Sequence, residues 1–472
     1  MVAPGAVPGR FGTLKTPTNA YATFIEPFHP CNTGGLGRNQ NVCGGNFWYG
    51  RAEGNEIPLF PDGATAHIGD EIFYTADGTD LEVIHPGVRE YAVYLGPVAD
   101  QALNPFPNPV EQNLDPQKVC KRIARARYSK LFTIVWGEPM DCSDNIYNPD
   151  LGLTAYEINF RRIAVALSAW QASDQVNSFS SKRDVALQAE LTCACQDPGS
   201  DVYPGEEVCS NVPDRAPRLV CNAPDYLNSP GEFPLVGLTD KENLGHDLFY
   251  GITPELNPEG KNANCAACHS DNPPARGGGG DTGAELFQLY AADDYHNIGT
   301  PPNPEIPVSY DSNGDPIDPD LGIAGHAGDD YPPGFFKTPT LRNVDKRIGK
   351  GFTKAYAHNG WFKSLESIVH FYNTAFLGNC VITDTEDCTG RGEATYESTT
   401  AATFGVTRCP EDITTEKDAL ANNCWPAPAY SNGAIPFLVG DLGLTADEEA
   451  AIVAYMETLT DLYTPRAPQP YR

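Results

Sequence analysis

Residues 262–270 read NANCAACHS, and within them Cys265, Cys268 and His269 form the pentapeptide C-x-x-C-H. That pattern is the attachment site of a c-type haem: the two thiols become thioethers to the porphyrin, and the histidine that follows is the proximal iron ligand. No other feature constrains the chain as tightly. The pentapeptide occurs once in 472 residues, a length that at about 100–200 residues per domain suggests two to four domains, or two with large insertions.

The remaining twelve cysteines are Cys31, Cys43, Cys120, Cys142, Cys193, Cys195, Cys209, Cys221, Cys380, Cys388, Cys409 and Cys424. An even number, set mostly in loops rich in Gly, Pro and Asp, points to disulfides and an oxidising compartment. The rival reading is metal binding, but C-A-C at 193–195 has the wrong spacing for a zinc knuckle and no histidine lies close by. The pairing stays open. Covalent haem attachment also belongs outside the bacterial cytoplasm, so two features imply a periplasmic or otherwise exported protein. The chain nevertheless opens MVAPGAVPGRFG, with neither the charged nor the apolar region of a signal peptide. No run of about 18 apolar residues suggests a membrane span.

The 45 Gly and 42 Pro predict long ordered loops around modest helices. The balance of 62 acidic against 32 basic residues, a net charge of −30, repels nucleic acid and anionic membrane surfaces. Residues 1–115 show little helical periodicity. Helices are predicted across 116–186; in the later part Ile158, Ile163, Leu167 and Trp170 fall near one face, with Arg161 and Arg162 off it. Residues 193–232 read as a linker. Thr239 and Glu242 form a capping pattern ahead of another helix. SLESIVHFYNTAF (364–376) and LTADEEAAIVAYMETLTDLY (444–463) read as helices, with a disulfide-pinned insertion at 380–435. Asp311, Asn313, Asp315 and Asp318 are spaced like the start of a calcium loop without its closing Glu, and a solvated acidic turn is the plainer reading.

PPGFFKTPTLRNVDKRIGKGFTKAYAHNGWFKSLESIVHFYNTAF (332–376) resembles the C-terminal haem domain of bacterial di-haem cytochrome c peroxidases and their MauG-like relatives. YHNIG (295–299) fits between the haem pentapeptide and that block. GGNFWYGRAEG (44–54) is similar to the family's F-W-D-G-R-A, and LKTPTNAY (14–21) to its N-T-P-T segment. YLGPVADQALNPFPNPVEQN (94–113) is similar to G-P-x-x-N-P-x-E-M, and SAWQASDQVNSFSSKRD (168–184) to a helix ending in S-K-F-D. The resemblance implies a mainly α fold of two cytochrome c-like domains, placed here at 1–232 and 233–472, with long Gly/Pro-rich loops and disulfide-pinned insertions. In the family a first C-x-x-C-H precedes the N-T-P-T segment by more residues than this chain has before Leu14. A precursor is therefore expected to carry a signal peptide and a first haem motif upstream of Met1. The alternative is a mono-haem derivative.

By the same resemblance, haem c is the cofactor, held by Cys265, Cys268 and His269. Tyr372 is the second axial ligand, as in the MauG-like branch; an amphipathic Tyr in a helix core is the bland alternative. His370 is expected at the surface and His358 in a structural role. Glu111 matches the distal acid that moves a proton between the two peroxide oxygens, and Trp48 the tryptophan between the two haems. A calcium ion is implied near the turn of Thr353 and Ala355, but the family's Asn ligand aligns with Lys15, whose ammonium opposes a cation. Other departures are Val93 for a distal glutamine, Gln112 for a Met, and Ala263 where MauG-like enzymes carry a surface Trp. The resemblance implies a hydrogen-peroxide-dependent oxidoreductase that draws electrons from a small donor protein, a cytochrome or cupredoxin, with a homodimer left open. The rivals are a MauG-like oxidase of a protein or organic substrate and a non-catalytic mono-haem electron carrier.

Overall fold

Side-chain caps set where the helices begin. Thr154 with Glu157, Ser181 with Asp184, Thr239 with Glu242 and Thr445 with Glu448 each form a reciprocal capping box, which satisfies amides that a first turn leaves unpaired. The computed structural model describes residues 2–31, 42–54, 94, 96–149, 152–212, 227, 229–252, 257–269, 285–310, 316–328, 331–346, 353–375, 399–430 and 439–462. Val93, Cys221, Cys380, Cys388, Asp311, Asn313 and Asp315 lie outside them, as does most of the insertion expected before residue 399.

Helices account for 35% of the described residues, and the described strands are two-residue pairs. Helices dominate the regular structure, and turns and loops make up most of the described residues, as the glycine and proline content suggests. The chain divides into two units. The first is Met1–Asn177 with Asp293–Tyr295 and Ile306–Tyr331; the second is Ser178–Ala292 with His296–Glu305 and Pro332–Arg472.

In the first unit, α1 is Pro97–Leu103, α2 Pro116–Ala124, α3 Ser129–Trp136 and α4 Ala155–Gln171. Helix α4 packs against α1 and α2, over a small core of Val119, Phe132, Phe160 and Ile163. The Cys120–Cys142 disulfide ties α2 to the segment entering α4. The apolar face expected for α4 is displaced. Leu167 and Trp170 are exposed, whereas Phe160, Ile163 and Ala164 are buried. Of the expected face Ile163 is buried, and the covered edge runs through Phe160, Ile163 and Ala164 rather than on to Leu167 and Trp170.

In the second unit, α5 is Lys182–Ala194, α6 Glu206–Asn211, α7 Asp240–Tyr250, α8 Leu365–Thr374, α9 Thr399–Phe404, α10 Glu416–Ala421 and α11 Ala446–Glu457. Helices α7 and α11 lie against each other, and Gly245 permits it: a Cβ there would stand 2.0 Å from the Ala451 carbonyl oxygen. Leu187, Leu191, Phe233, Leu235, Phe249, Tyr290, Tyr455 and Leu459 form the core, with Cys265 and Ala266 packed on it. Cys195–Cys209 links the end of α5 to α6, and Cys409–Cys424 ties the chain on either side of α10. A further disulfide, Cys31–Cys43, belongs to the first unit.

Candidate haem site

Helix α7 stops at Gly251, whose φ of 66° is the left-handed conformation glycine adopts freely. Beyond it, the Asn257 side chain donates to the carbonyls of Ile252 and Lys261. Ala263 N–H then donates to Leu248 O at 2.8 Å, returning the chain to α7. A 3₁₀ turn covers Cys265–Ala267. The amides of Cys268 and His269 both donate to the Cys265 carbonyl, at 3.2 and 3.0 Å, so the pentapeptide is coiled into one tight turn with both thiols on it. Among the described residues, Cys265 and Cys268 are the cysteines left as thiols; the rest are in disulfides. Burial pushes the Cys265 thiol up to about 12, and the neighbouring Cys268 adds to the rise.

His269 Nδ1 lies 3.0 Å from the Tyr290 carbonyl oxygen. A carbonyl can only accept, so Nδ1 carries the proton and Nε2 is the nitrogen an iron would take. Tyr372 is half-buried on α8. Its phenol is pushed above its ordinary range by burial, and the Cys268 and Cys265 thiols add to the rise. Two adjacent reduced thiols and an oriented imidazole fit a covalently held haem; its binding would supply one-electron redox chemistry.

His370 departs from its expected surface position. It is half-buried, its Nδ1 lies 3.0 Å from Glu449 Oε1, and its ring packs edge-on to Phe404. His358 is buried and stacks flat on Phe336, with ring centres 3.5 Å apart. Ala355 is buried and Thr353 half-buried in the same turn.

Sequence reasoning missed the clamp behind His269. Arg342, from the T-L-R-N block, donates to Asp184 through both terminal nitrogens, at 2.6 and 3.0 Å, and through Nε to the Gln288 carbonyl at 2.6 Å. Arg183 adds a contact to Asp184 at 3.1 Å. All three side chains are at most 1% exposed. Burial alone would raise the Asp184 carboxyl; Arg342 and then Arg183 outweigh it and hold it at about 2. The Leu341 amide also donates to Tyr290 O at 3.0 Å. The carbonyl that orients His269 is thus held by the loop that Arg342 anchors. The one available signal was the co-occurrence of an aspartate in S-K-R-D with an arginine in L-R-N.

In the first unit, Trp48 is buried, and its indole donates to the Lys15 carbonyl at 2.6 Å. The Lys15 ammonium sits 5.6 Å over that ring, and burial lowers its pKa. Glu111 is half-buried. It accepts from Asn108 Nδ2 at 2.8 Å and lies 3.9 Å from Arg51. Burial raises its pKa; Arg51 and Asn108 pull the other way without cancelling the rise. Arg51 itself stacks over Phe47 and Tyr49.

Residues 2–192 match the family model described as di-haem cytochrome c peroxidase. Over those residues the chain is similar to that family, and along most of its length it is similar to MauG. The methylamine utilization protein MauG of Paracoccus denitrificans is 24% identical over 454 residues, spanning 95% of this chain and 75% of that protein. The diheme peroxidase BthA of Burkholderia thailandensis superposes with a TM-score of 0.50 at 20% identity, covering 99% of this chain and 78% of that one. A variant of the same peroxidase gives 0.51 at 19% identity. The fold is thus that of a diheme peroxidase. Ala263 is 1% exposed, and its amide is bonded to Leu248 O in α7. Among the described residues, no helix is long and apolar enough to cross a membrane.

Proposed function

We propose that this protein is an exported c-type haem oxidoreductase that reduces hydrogen peroxide to water with electrons from a small cytochrome or cupredoxin. The observation that carries the reading is the tight turn holding two free thiols, Cys265 and Cys268, beside a His269 whose Nδ1 meets the Tyr290 carbonyl; the electrostatic coupling of Tyr372 to those thiols supports it as the second donor. A haem c bound there would handle single electrons. Tyr290 O keeps His269 in one tautomer, which raises its basicity as a ligand. Tyr372, as a phenolate, is a hard donor that favours the oxidised metal.

Two protons must enter as peroxide becomes two waters. Glu111 is the group suited to move one of them, because its raised pKa brings the carboxyl closer to working pH than an ordinary glutamate. Trp48, buried and oxidisable, is suited to relay charge. A second haem c, implied by the family, and calcium near Thr353 and Ala355 belong to the same reading. The buried Ala263 favours a diffusing electron donor over a MauG-like oxidation of a protein substrate.

The test is peroxide-dependent oxidation of a reduced cytochrome or cupredoxin by the full exported holoprotein, with haem quantified per chain. Turnover supports the reading. Haem without peroxide consumption leaves an electron carrier. Glu111→Gln should lower turnover by about 10²–10⁴-fold at unchanged haem content. Tyr372→Phe should change the ferric low-spin spectrum, and an unaltered spectrum removes Tyr372 as a ligand.

A further inference from the structure

One segment reverses the charge of the whole molecule. From Pro116 to Gly137 the chain holds Lys118, Lys121, Arg122, Arg125, Arg127 and Lys130 and no acidic residue, in a protein of net charge −30. All six basic side chains are exposed. The acids at either end of the stretch are engaged: Asp115 caps α2 by accepting from Lys118 N–H, and Glu138 pairs with Arg162 at 2.6 Å.

The same segment carries an apolar face that no described residue covers. Val119, Phe132 and, at its edge, Trp136 turn toward the core with Phe160 and Ile163. What α3 presents outward is Tyr128, Leu131, Ile134 and Val135, exposed by 55, 63, 76 and 73%. Their spacing of three and four residues makes one helical stripe. The Cys120–Cys142 disulfide fixes the base of the hairpin.

We propose that the α2–α3 hairpin is a docking surface for an anionic phospholipid bilayer. Leu131, Ile134 and Val135 enter the boundary between headgroups and acyl chains while the Lys and Arg side chains meet phosphate. This is the pattern of a helix that lies in the interface without crossing it. A second copy of the chain is a poor occupant, because a two-fold contact would set the basic cluster against itself. A protein partner would need a pocket for protruding aliphatic side chains, whereas lipid needs none, and Leu and Val are under-represented among energetic anchors of protein interfaces. The overall negative charge acts at range, but physiological salt screens it within about 8 Å. At contact the local basic cluster governs, and it orients the acidic body away from the bilayer.

The test sediments the full holoprotein with vesicles of phosphatidylcholine alone and of phosphatidylcholine mixed with phosphatidylglycerol. Expected is at least tenfold stronger binding, as an order of magnitude, to the mixed vesicles, weakening as salt rises. Lys121→Glu with Arg125→Glu should abolish that preference. Ile134→Ser with Val135→Ser should lower binding by about tenfold while keeping the salt dependence. These residues are exposed, so haem content and far-UV circular dichroism should be unchanged; the wild-type comparison of the two vesicles decides the matter without any substitution. Wild type remaining in the supernatant with anionic vesicles overturns the proposal and leaves the face to an acidic protein. Equal binding to both vesicles, or binding that neither double variant alters, overturns it as well.

Discussion

The turn around His269 and the loop around Glu111 handle charge in opposite ways. Behind His269, the two arginines and the aspartate of the clamp are sealed from water, and one backbone carbonyl fixes the imidazole. Around Glu111, the carboxyl keeps a third of its surface in solvent and faces Arg51 across 3.9 Å. An electron-carrying ligand gains from a geometry and protonation state that never change. A proton-moving group needs water contact and a pKa that can be crossed. The difference separates a rigid region from an adjustable one, and substitutions in the two should behave differently.

The sharpest contrast is covalent. Replacing Cys265 and Cys268 together by alanine should remove all haem bound at that turn, measured as haem retained on a denaturing gel, while the Glu111 loop has no thiol to lose. Next comes the clamp. Arg342→Met leaves Asp184 buried against Arg183 alone, and breaking a buried ion pair costs about 3–5 kcal/mol. Arg51→Met breaks a half-exposed contact and a ring stacking, together about 1 kcal/mol. Chemical denaturation of the two variants checks this, and equal losses would erase the distinction drawn between the regions.

Acid and base should also act on the rigid region from opposite sides. Asp184 is held at about 2, below its unfolded value, so its stabilisation is present above the ordinary carboxylate range and lost as pH falls toward 2. Glu190 runs the other way. Burial raises it to about 7, although the amides of Val236 and Gly231 donate to it at 2.9 and 3.2 Å. A raised carboxyl contributes stability that is complete below its unfolded value and disappears as pH climbs through 7. Stability should fall by up to about 3 kcal/mol between about pH 5 and pH 8. Glu190→Gln should flatten that slope in denaturation curves taken across the range.

The legible parts of this protein were those whose signal is local. The pentapeptide, the capping pair at Thr239 and Glu242, and the helices over 365–374 and 446–457 are each written in neighbouring residues. Arg342 and Asp184 are 158 positions apart, and neither residue type signals burial by itself, so the clamp could not be read. The face of α4 failed for a related reason. Periodicity grouped Ile163 with Leu167 and Trp170, and Ile163 is buried, but how far the covered edge extends depends on α1 and α2, and those neighbours cover Phe160 rather than Leu167 and Trp170. His370 was misjudged likewise, because its partner Glu449 comes from α11.

The smallest expected effect concerns Glu111 and stability. Burial makes its charged form unfavourable, and the countervailing pull of Arg51 and Asn108 does not restore the ordinary pKa. At neutral pH the folded state therefore holds that carboxylate less favourably than the unfolded chain does. Glu111→Gln removes that penalty and keeps an amide that can still bond with Asn108. After screening by solvent at a site this exposed, the gain should be a few tenths of a kcal/mol at neutral pH and should vanish in acid, where the glutamate is already protonated. The same substitution is expected to cripple turnover. A variant more stable and less active than its parent is what an adjustable catalytic acid predicts, whereas a merely structural carboxylate paired with Arg51 would lose stability when neutralised.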